Sequence, residues 1–198
     1  MSNIDETTLT GDRLEEITMT TGTLNGGYSF IMAGEGKITI DWGDGTNETF
    51  TLTEKDKTYS HKYKEEAAYK IVVTSDNSTI IEYLDLCGCL LTSLDISDKC
   101  RLKYLDCGSN LLKTLDTSRN HKLEKLAFQD NKFTSFDASQ NTALKYLVCT
   151  ANEFTAAAID VLFETLHNKG GTVCIELNPG TDDCNRTIAE KKGWEVID

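Results

Sequence analysis

The feature that most constrains the fold is an internal repeat of 21 residues that begins at Glu82. Three blocks of this length follow one another without a gap, and a fourth begins at Lys145. Apolar residues recur at equivalent positions in the blocks: Leu84, Leu105, Leu126 and Leu147; Leu86, Cys107, Phe128 and Cys149; Leu91, Leu112, Phe133 and Phe154. A fixed period of this length indicates structural units that stack, so that each buries its apolar side against the next.

Each block contains the pattern L-x-x-L-x-L-x-x-N/C-x-L and resembles a leucine-rich repeat. The L-x-L pair is predicted to be a short strand whose alternate side chains point into the coil. The resemblance implies that the Asn or Cys side chain after it hydrogen-bonds the backbone of neighbouring coils and satisfies groups that a turn would otherwise bury unpaired. These ladder residues are Cys89, Asn110, Asn131 and Asn152. A second stretch, L-D-x-S, is predicted to form the other wall in β or 3₁₀ conformation.

The outward positions of the repeat strands form two rows. The residues before the inward leucines are Tyr83, Tyr104, Lys125 and Tyr146, and those after them are Asp85, Asp106, Ala127 and Val148. Because adjacent strands lie about 4.8 Å apart, each row is predicted to run along one open face. Exposed tyrosines beside polar groups suit a recognition surface. Stacked aromatic residues also stabilise a sheet as cross-strand pairs, and both interpretations remain open.

The first 80 residues have a different period. Apolar residues alternate in short runs that are separated by turn residues such as Asn25-Gly26-Gly27, which predicts five to seven short strands in a small antiparallel sandwich. The segments ITIDWGDGT (38–46) and YSHKY (59–63) resemble the signature segments of PKD-type β-sandwich domains. The resemblance implies a PKD-like sandwich over residues 13–80 that covers the first repeat.

The remaining segments complete the predicted fold, which is mainly β with C-terminal helices. Residues 1–12 are predicted to be a flexible tail, and residues 81–155 a short leucine-rich-repeat solenoid. Residues 156–198 are predicted to be an αβαβ cap, because an amphipathic helix with Ile159, Leu162, Phe163 and Leu166 follows the last repeat. Asp182 or Asp183 is predicted to cap a second helix that continues through Lys192.

The charge balance bears on the partner class. The chain has 20 basic and 32 acidic residues and a net charge of −12, which disfavours nucleic acid and anionic lipid surfaces. No apolar run approaches the roughly 20 residues of a transmembrane helix. The segment MSNIDETTLTGDRLEE lacks the basic and apolar regions of a signal peptide, so we expect either a cytoplasmic protein or one whose signal has been removed.

Seven cysteines lie in the repeat and the tail. An odd number leaves a monomer with at least one free thiol. The repeat predicts that Cys107 and Cys149 are buried and that Cys87 points outward. Whether Cys174 and Cys184 form a disulfide is left open by their spacing.

Catalytic and metal sites are weakly supported by the sequence. A calcium site at Asp41 and Asp44 is a minor alternative to a hairpin turn, because the segment fails the ligand spacing of an EF-hand. In the row Asp95, Asp116 and Asp137, capping of backbone amides is favoured over calcium. No motif places a histidine beside a nucleophile and an orienting carboxylate, so we predict no enzymatic activity and no cofactor.

The whole arrangement resembles bacterial cell-surface or secreted leucine-rich-repeat proteins. The resemblance implies an extracytoplasmic, non-enzymatic module that binds a protein or carbohydrate partner. The predicted binding residues are Tyr83, Asp85, Tyr104, Asp106, Lys125 and Tyr146. The alternatives are a structural spacer or scaffold, which could be cytoplasmic, and an accessory module of a larger surface enzyme system.

Overall fold

A computed structural model of the chain describes residues 15–98 and 101–198. The predicted tail, residues 1–12, lies outside the described residues. The described chain is mainly β, with two sheets and two helices. The elements are β1 (Glu15–Leu24), β2 (Gly27–Glu35), β3 (Lys37–Asp41), β4 (Asn47–Thr51), β5 (Lys57–Lys62), β6 (Ala67–Ser75), β7 (Ile80–Asp85), β8 (Leu91–Asp95), β9 (Tyr104–Asp106), β10 (Lys125–Ala127), β11 (Tyr146–Val148), α1 (Ala156–Thr165), β12 (Gly171–Cys174), α2 (Thr187–Glu190) and β13 (Trp194–Ile197).

The smaller sheet has five antiparallel strands in the order β4-β3-β6-β1-β8. Alternate apolar residues of its strands are buried, as period-two patterning requires: Ile17, Met19, Ile38, Ile40, Ile71 and Val73. The edge strand β8 belongs to the first repeat block and pairs with β1, with Met19 opposite Leu94. The first repeat and the N-terminal segment therefore share a sheet across the predicted boundary at residue 80.

The larger sheet has eight strands in the order β13-β12-β11-β10-β9-β7-β2-β5. From β7 to β13 all neighbours are parallel and in register, so that equivalent repeat positions lie side by side. The inward position of this parallel ladder is occupied by Leu84, Leu105, Leu126, Leu147, Val173 and Val196. At the other end β2 and β5 join by antiparallel pairing. The sheet thus combines repetitive and non-repetitive parts of the chain.

The C-terminal segment continues the ladder beyond residue 155. Strand β12 pairs in register with β11, with Val173 opposite Leu147. The residue just before each of Cys89, Asn110, Asn131 and Asn152 has positive φ: Gly88 (67°), Ser109 (52°), Asp130 (54°) and Ala151 (51°). The same conformation recurs in the tail at Leu177 (60°). The tail therefore repeats the strand pairing and the backbone conformation of the repeat blocks, and α1 lies between the last block and β12.

Helix α1 matches the predicted amphipathic segment. The side chain of Thr155 caps it by accepting a hydrogen bond from the Ala158 N–H, and Ile159, Leu162 and Phe163 are buried. The predicted start of the second helix is wrong, because α2 begins at Thr187 and not after Asp182 or Asp183. Those two residues lie in a turn, which the Thr181 hydroxyl stabilises by donating to the Ile175 carbonyl at 2.7 Å.

Candidate functional site

The outer row of the eight-stranded sheet brings together the four predicted residues Tyr83, Tyr104, Lys125 and Tyr146 on adjacent strands. The rings of Tyr83 and Tyr104 are stacked, with centroids 4.3 Å apart and an interplanar angle of 10°. The ammonium group of Lys125 lies 5.0 Å from the ring centroid of Tyr104 and 5.4 Å from that of Tyr146. A cation thus lies between two aromatic rings, an arrangement worth about 0.5–1 kcal/mol for each exposed contact.

The second outer row changes from acidic to apolar along the sheet. Asp85 and Asp106 each use Oδ1 to accept a backbone N–H two residues further on, from Cys87 at 3.0 Å and Gly108 at 2.9 Å. Strand pairing continues the row through Ala127 to three apolar residues, which are Val148, Cys174 and Ile197. One end of this row therefore carries carboxylates, whereas at the other end Ile197 is exposed and Ala127 and Cys174 are buried.

Burial controls the protonation of this face. Burial raises the pKa of Asp106, and the neighbouring carboxylate of Asp85 raises it further, whereas the hydrogen bond from the Gly108 N–H lowers it. Burial also raises the pKa of Tyr104, with contributions from Tyr83 and Asp106, so that its phenol is protonated at neutral pH. The face consequently offers protonated phenols beside carboxylates.

Asp106→Asn is expected to raise Tm at pH 7 by about 2 °C, which is the shift that about 0.5–1 kcal/mol produces in a chain of this size. The pKa of Asp106 in the folded state is raised above its ordinary value of 3.8, so the folded state binds a proton more readily than the unfolded state. The folded state therefore loses stability as the pH rises from 3.8 through the raised pKa. The gain should therefore shrink at pH 4, as measured by thermal melts at both pH values. Glu195→Gln, which removes an exposed carboxylate at the far end of the face, is the control. A lower Tm for the Asp106 variant at pH 7 would contradict the prediction.

Asp41 and Asp44, the predicted alternative metal ligands, are engaged in local hydrogen bonds. Asp41 accepts from the Gly43 N–H at 2.9 Å. Asp44 accepts from the hydroxyl and N–H of Thr46 through one oxygen and contacts Nε2 of His61 at 2.8 Å through the other. The Thr46 hydroxyl, followed by His61, lowers the pKa of Asp44 to about 2. Within residues 15–98 and 101–198 no group of three or more His, Cys, Asp or Glu is arranged to hold a metal ion.

The aspartates of the L-D-x-S stretches cap turns, as predicted. Asp95, Asp116 and Asp137 each accept the N–H of the serine two residues later, at 2.8–2.9 Å. Their carboxylates therefore stabilise the backbone locally.

The predicted ladder residues lie inside the coils. Oδ1 of Asn131 accepts the Leu112 N–H at 2.8 Å, and its Nδ2 donates to the carbonyls of Cys107, Phe128 and Gln129. Asn110 and Asn152 accept the N–H groups of Leu91 and Phe133 in the same way, whereas Sγ of Cys89 donates to the Ser29 carbonyl at 3.4 Å.

Sequence reasoning missed three further buried asparagines. Asn178 is a fifth ladder residue, and its Oδ1 accepts from the N–H groups of Asn152 and Phe154. Asn120 and Asn141 form a second ladder, in which Nδ2 of Asn141 donates to the carbonyls of Thr117 and Asn120. Their identical position in consecutive blocks was the available signal for the second ladder. The insertion of α1 hides Asn178 from the 21-residue period.

The cysteines follow the repeat register. Cys107 and Cys149 are buried and Cys87 is exposed, while Cys100 lies outside the described residues. Cys174 and Cys184, whose pairing the sequence leaves open, are free thiols in the structure. The thiol of Cys174 lies 3.5 Å from the hydroxyl of Tyr146, so it contacts the first outer row.

Comparison with known proteins gives a partial similarity to a solved structure. No family model matches the chain, and no curated protein matches it. The chain is similar to a solved structure described as the functional domain of InlJ from Listeria monocytogenes, which includes a cysteine ladder. The sequence identity is 30%, the TM-score is 0.41, and the match covers 50% of this chain and 21% of that chain. The match thus extends over about a fifth of that structure. In the part of the chain that the structure describes, no helix has the length and apolar character to cross a membrane.

Proposed function

We propose that the chain is a leucine-rich-repeat solenoid with a PKD-like sandwich at its N-terminal end, and that it is a non-enzymatic binding module. Its partner is a protein or a carbohydrate, which it contacts through the outer face of the eight-stranded sheet. The proposed location is extracytoplasmic, at the bacterial cell surface or secreted. The observation that carries the proposal is the outer row of Tyr83, Tyr104, Lys125 and Tyr146, with its stacked ring pair and the two contacts of Lys125 with tyrosine rings.

The row is preorganised for binding. Its strands are held in register by main-chain pairing, and each side chain of the row contacts the next one. Binding therefore costs little further side-chain entropy, which favours affinity. Tyrosine also supplies a large amphipathic area with a hydroxyl at its end, and Tyr146 is 37% exposed. The row thus combines rigidity with accessible polar groups.

The three histidines have contacts that support a non-catalytic role. The His61 ring stacks on Trp42, with centroids 5.1 Å apart, and Nε2 bonds Asp44. His121 and His167 each contact a backbone carbonyl, at 3.0 and 2.7 Å. Each ring is thus engaged in a structural contact.

The competing function is that of a structural spacer, which the ring stacking of Tyr83 on Tyr104 would serve equally well. Arrays of extracellular proteins and of glycans, probed with the whole chain, distinguish the two. We expect a ligand whose affinity falls more than about tenfold in the double variant Lys125→Gln/Tyr146→Ala, because contacts near the centre of a recognition surface dominate binding. The control, Lys113→Gln/Thr114→Ala, changes exposed residues of the other wall. A ligand bound equally by both variants, or no ligand at all, would favour the spacer.

A further inference from the structure

The first outer row does not end at Tyr83. On β2 the residue paired with Tyr83 is Ala33, and the pairing of Met32 with Lys57 makes Asp56 the next position beyond Ala33. Across the sheet the row therefore reads Asp56, Ala33, Tyr83, Tyr104, Lys125, Tyr146. The small side chain of Ala33 leaves a gap between the Asp56 carboxylate and the Tyr83 ring.

A groove of about 530 Å³ lies at this gap. Its floor is made of backbone and small side chains, because Gly34 packs directly against β7. A Cβ at Gly34 would lie 1.9 Å from the Ile80 carbonyl oxygen, so no larger residue fits there without moving the strand. The groove is lined by Ala33, Gly34, Glu35, Glu54, Asp56, Ile80, Glu82 and Tyr83. We call it the acidic groove.

The charged residues that line the acidic groove are all acidic. Four carboxylates line it, and among the described lining residues none is Lys or Arg. Glu82 is paired with Lys103 at 2.8 Å, which leaves three acidic side chains to set the local potential. The nearby Lys57 is directed elsewhere, since its ammonium lies 5.4 Å from the ring centroids of Phe50 and Tyr59. The groove thus favours a positively charged group.

The chain itself shows how a cation fits this row. Lys125 lies against the ring of Tyr104, on the side away from Tyr83. On the other side of the stack, Tyr83 is paired with Ala33, and both residues line the acidic groove. A cation placed there would contact Tyr83 as Lys125 contacts Tyr104, with the Asp56 carboxylate opposite. The aromatic face and the carboxylate would then act on the same charge.

We propose that the acidic groove binds the ammonium or guanidinium group of a lysine or arginine side chain presented by a protein partner. The proposal rests on the proposed function and narrows it, because a neutral carbohydrate offers no such group. Arginine suits the site better than lysine, since its planar group stacks on an aromatic ring while it hydrogen-bonds a carboxylate.

The test is an NMR titration of the whole chain with the peptide acetyl-Gly-Arg-Gly-amide, and with the same peptide carrying neutral citrulline in place of arginine. We expect saturable shifts of the amides of Ala33, Gly34 and Tyr83, with an affinity at least about fivefold higher for arginine. Binding should weaken as salt is raised, because the groove is exposed to solvent. Equal shifts with citrulline, or no saturable shift with arginine, would overturn the proposal.

Variants locate the binding within the face. Asp56→Asn and Tyr83→Leu are each expected to weaken arginine binding at least about fivefold, since each removes one of the two groups that contact the cation. Asp56 is exposed, so its variant keeps the fold. Glu195→Gln removes the same charge at the opposite end of the row and should change the affinity less than about twofold. Equal weakening by the Asp56 and Glu195 variants would show general charge attraction and would overturn the proposal that the cation binds in the acidic groove.

The same variants separate this proposal from the proposed function. A partner whose binding requires Tyr146 but tolerates Asp56→Asn would overturn the proposal of binding in the acidic groove and would leave the proposed function standing. A partner that requires neither would overturn the proposed function, even where the arginine peptide still binds in the groove.

Discussion

Phe128→Ala is expected to lower the free energy of unfolding by about 3–5 kcal/mol, the range observed when a buried aromatic side chain is cut back to a methyl group. Phe128 is 0% exposed and packs against Phe133 and Phe136, with ring centroids 4.6 and 4.9 Å away. A third ring, that of Phe154 in the next block, lies 6.4 Å away. The truncation would leave a cavity at the junction of two coils, where main-chain pairing on both sides prevents collapse.

Urea denaturation at constant pH measures this effect, with the midpoint and slope compared between variants. Phe128→Leu retains most of the volume and should cost less than about 1.5 kcal/mol. Val161→Ala removes methyl groups from a side chain that is 61% exposed, and should change stability by less than about 0.5 kcal/mol. A loss below about 1.5 kcal/mol for Phe128→Ala would mean that the coils repack around the site.

Asn131→Ala is expected to lower the free energy of unfolding by about 3 kcal/mol. The carbonyls of Cys107 and Phe128 accept from two asparagines each, so they keep one partner when Asn131 is removed. The Leu112 N–H instead loses the Asn131 oxygen, its partner in the structure, at a buried position. An unsatisfied buried donor costs about 1–3 kcal/mol, to which the lost hydrogen bonds and the cavity add.

The same denaturation measurement applies, and the matched control is Asn168→Ala in an exposed loop, which should leave stability within about 0.5 kcal/mol. Asn131→Asp keeps an acceptor for the Leu112 N–H but places a carboxylate near three carbonyls, so it should also be strongly destabilising at pH 7. Its effect should decrease as the acid is protonated below about pH 4. If Asn131→Ala behaved like the loop control, the ladder would contribute nothing to stability.

Residues that belong to the repeat were accessible to prediction because their environment recurs. A period of 21 residues assigns Leu126 and Phe128 to inward positions, and both are fully buried. The same period places Tyr83, Tyr104, Lys125 and Tyr146 in one row, and strand pairing joins them. Such assignments need only the register, since each coil repeats the geometry of the coil before it.

Residues outside the period were not accessible in this way. Asn178 follows an inserted helix, so its ladder position emerges only when β12 is paired with β11. The start of α2 was predicted wrongly because the turn after Asn178 holds Asp182 and Asp183 away from the helix. Local capping preference is a weak signal when a tertiary hydrogen bond competes with it.

The sequence by itself determined the repeat of this protein: its period, its inward residues, and the order of aromatic and charged groups along one face. Only the tertiary structure decided how the non-repetitive N-terminal strands join them, with β8 completing one sheet and β2 extending the other. That extension brings Asp56 to Tyr83 and creates the acidic groove. The physical reason is that a repeat encodes the same neighbour contact in every unit, whereas the pairing of β2 with β7 depends on a close approach between distant segments, as at Gly34, which no local pattern specifies.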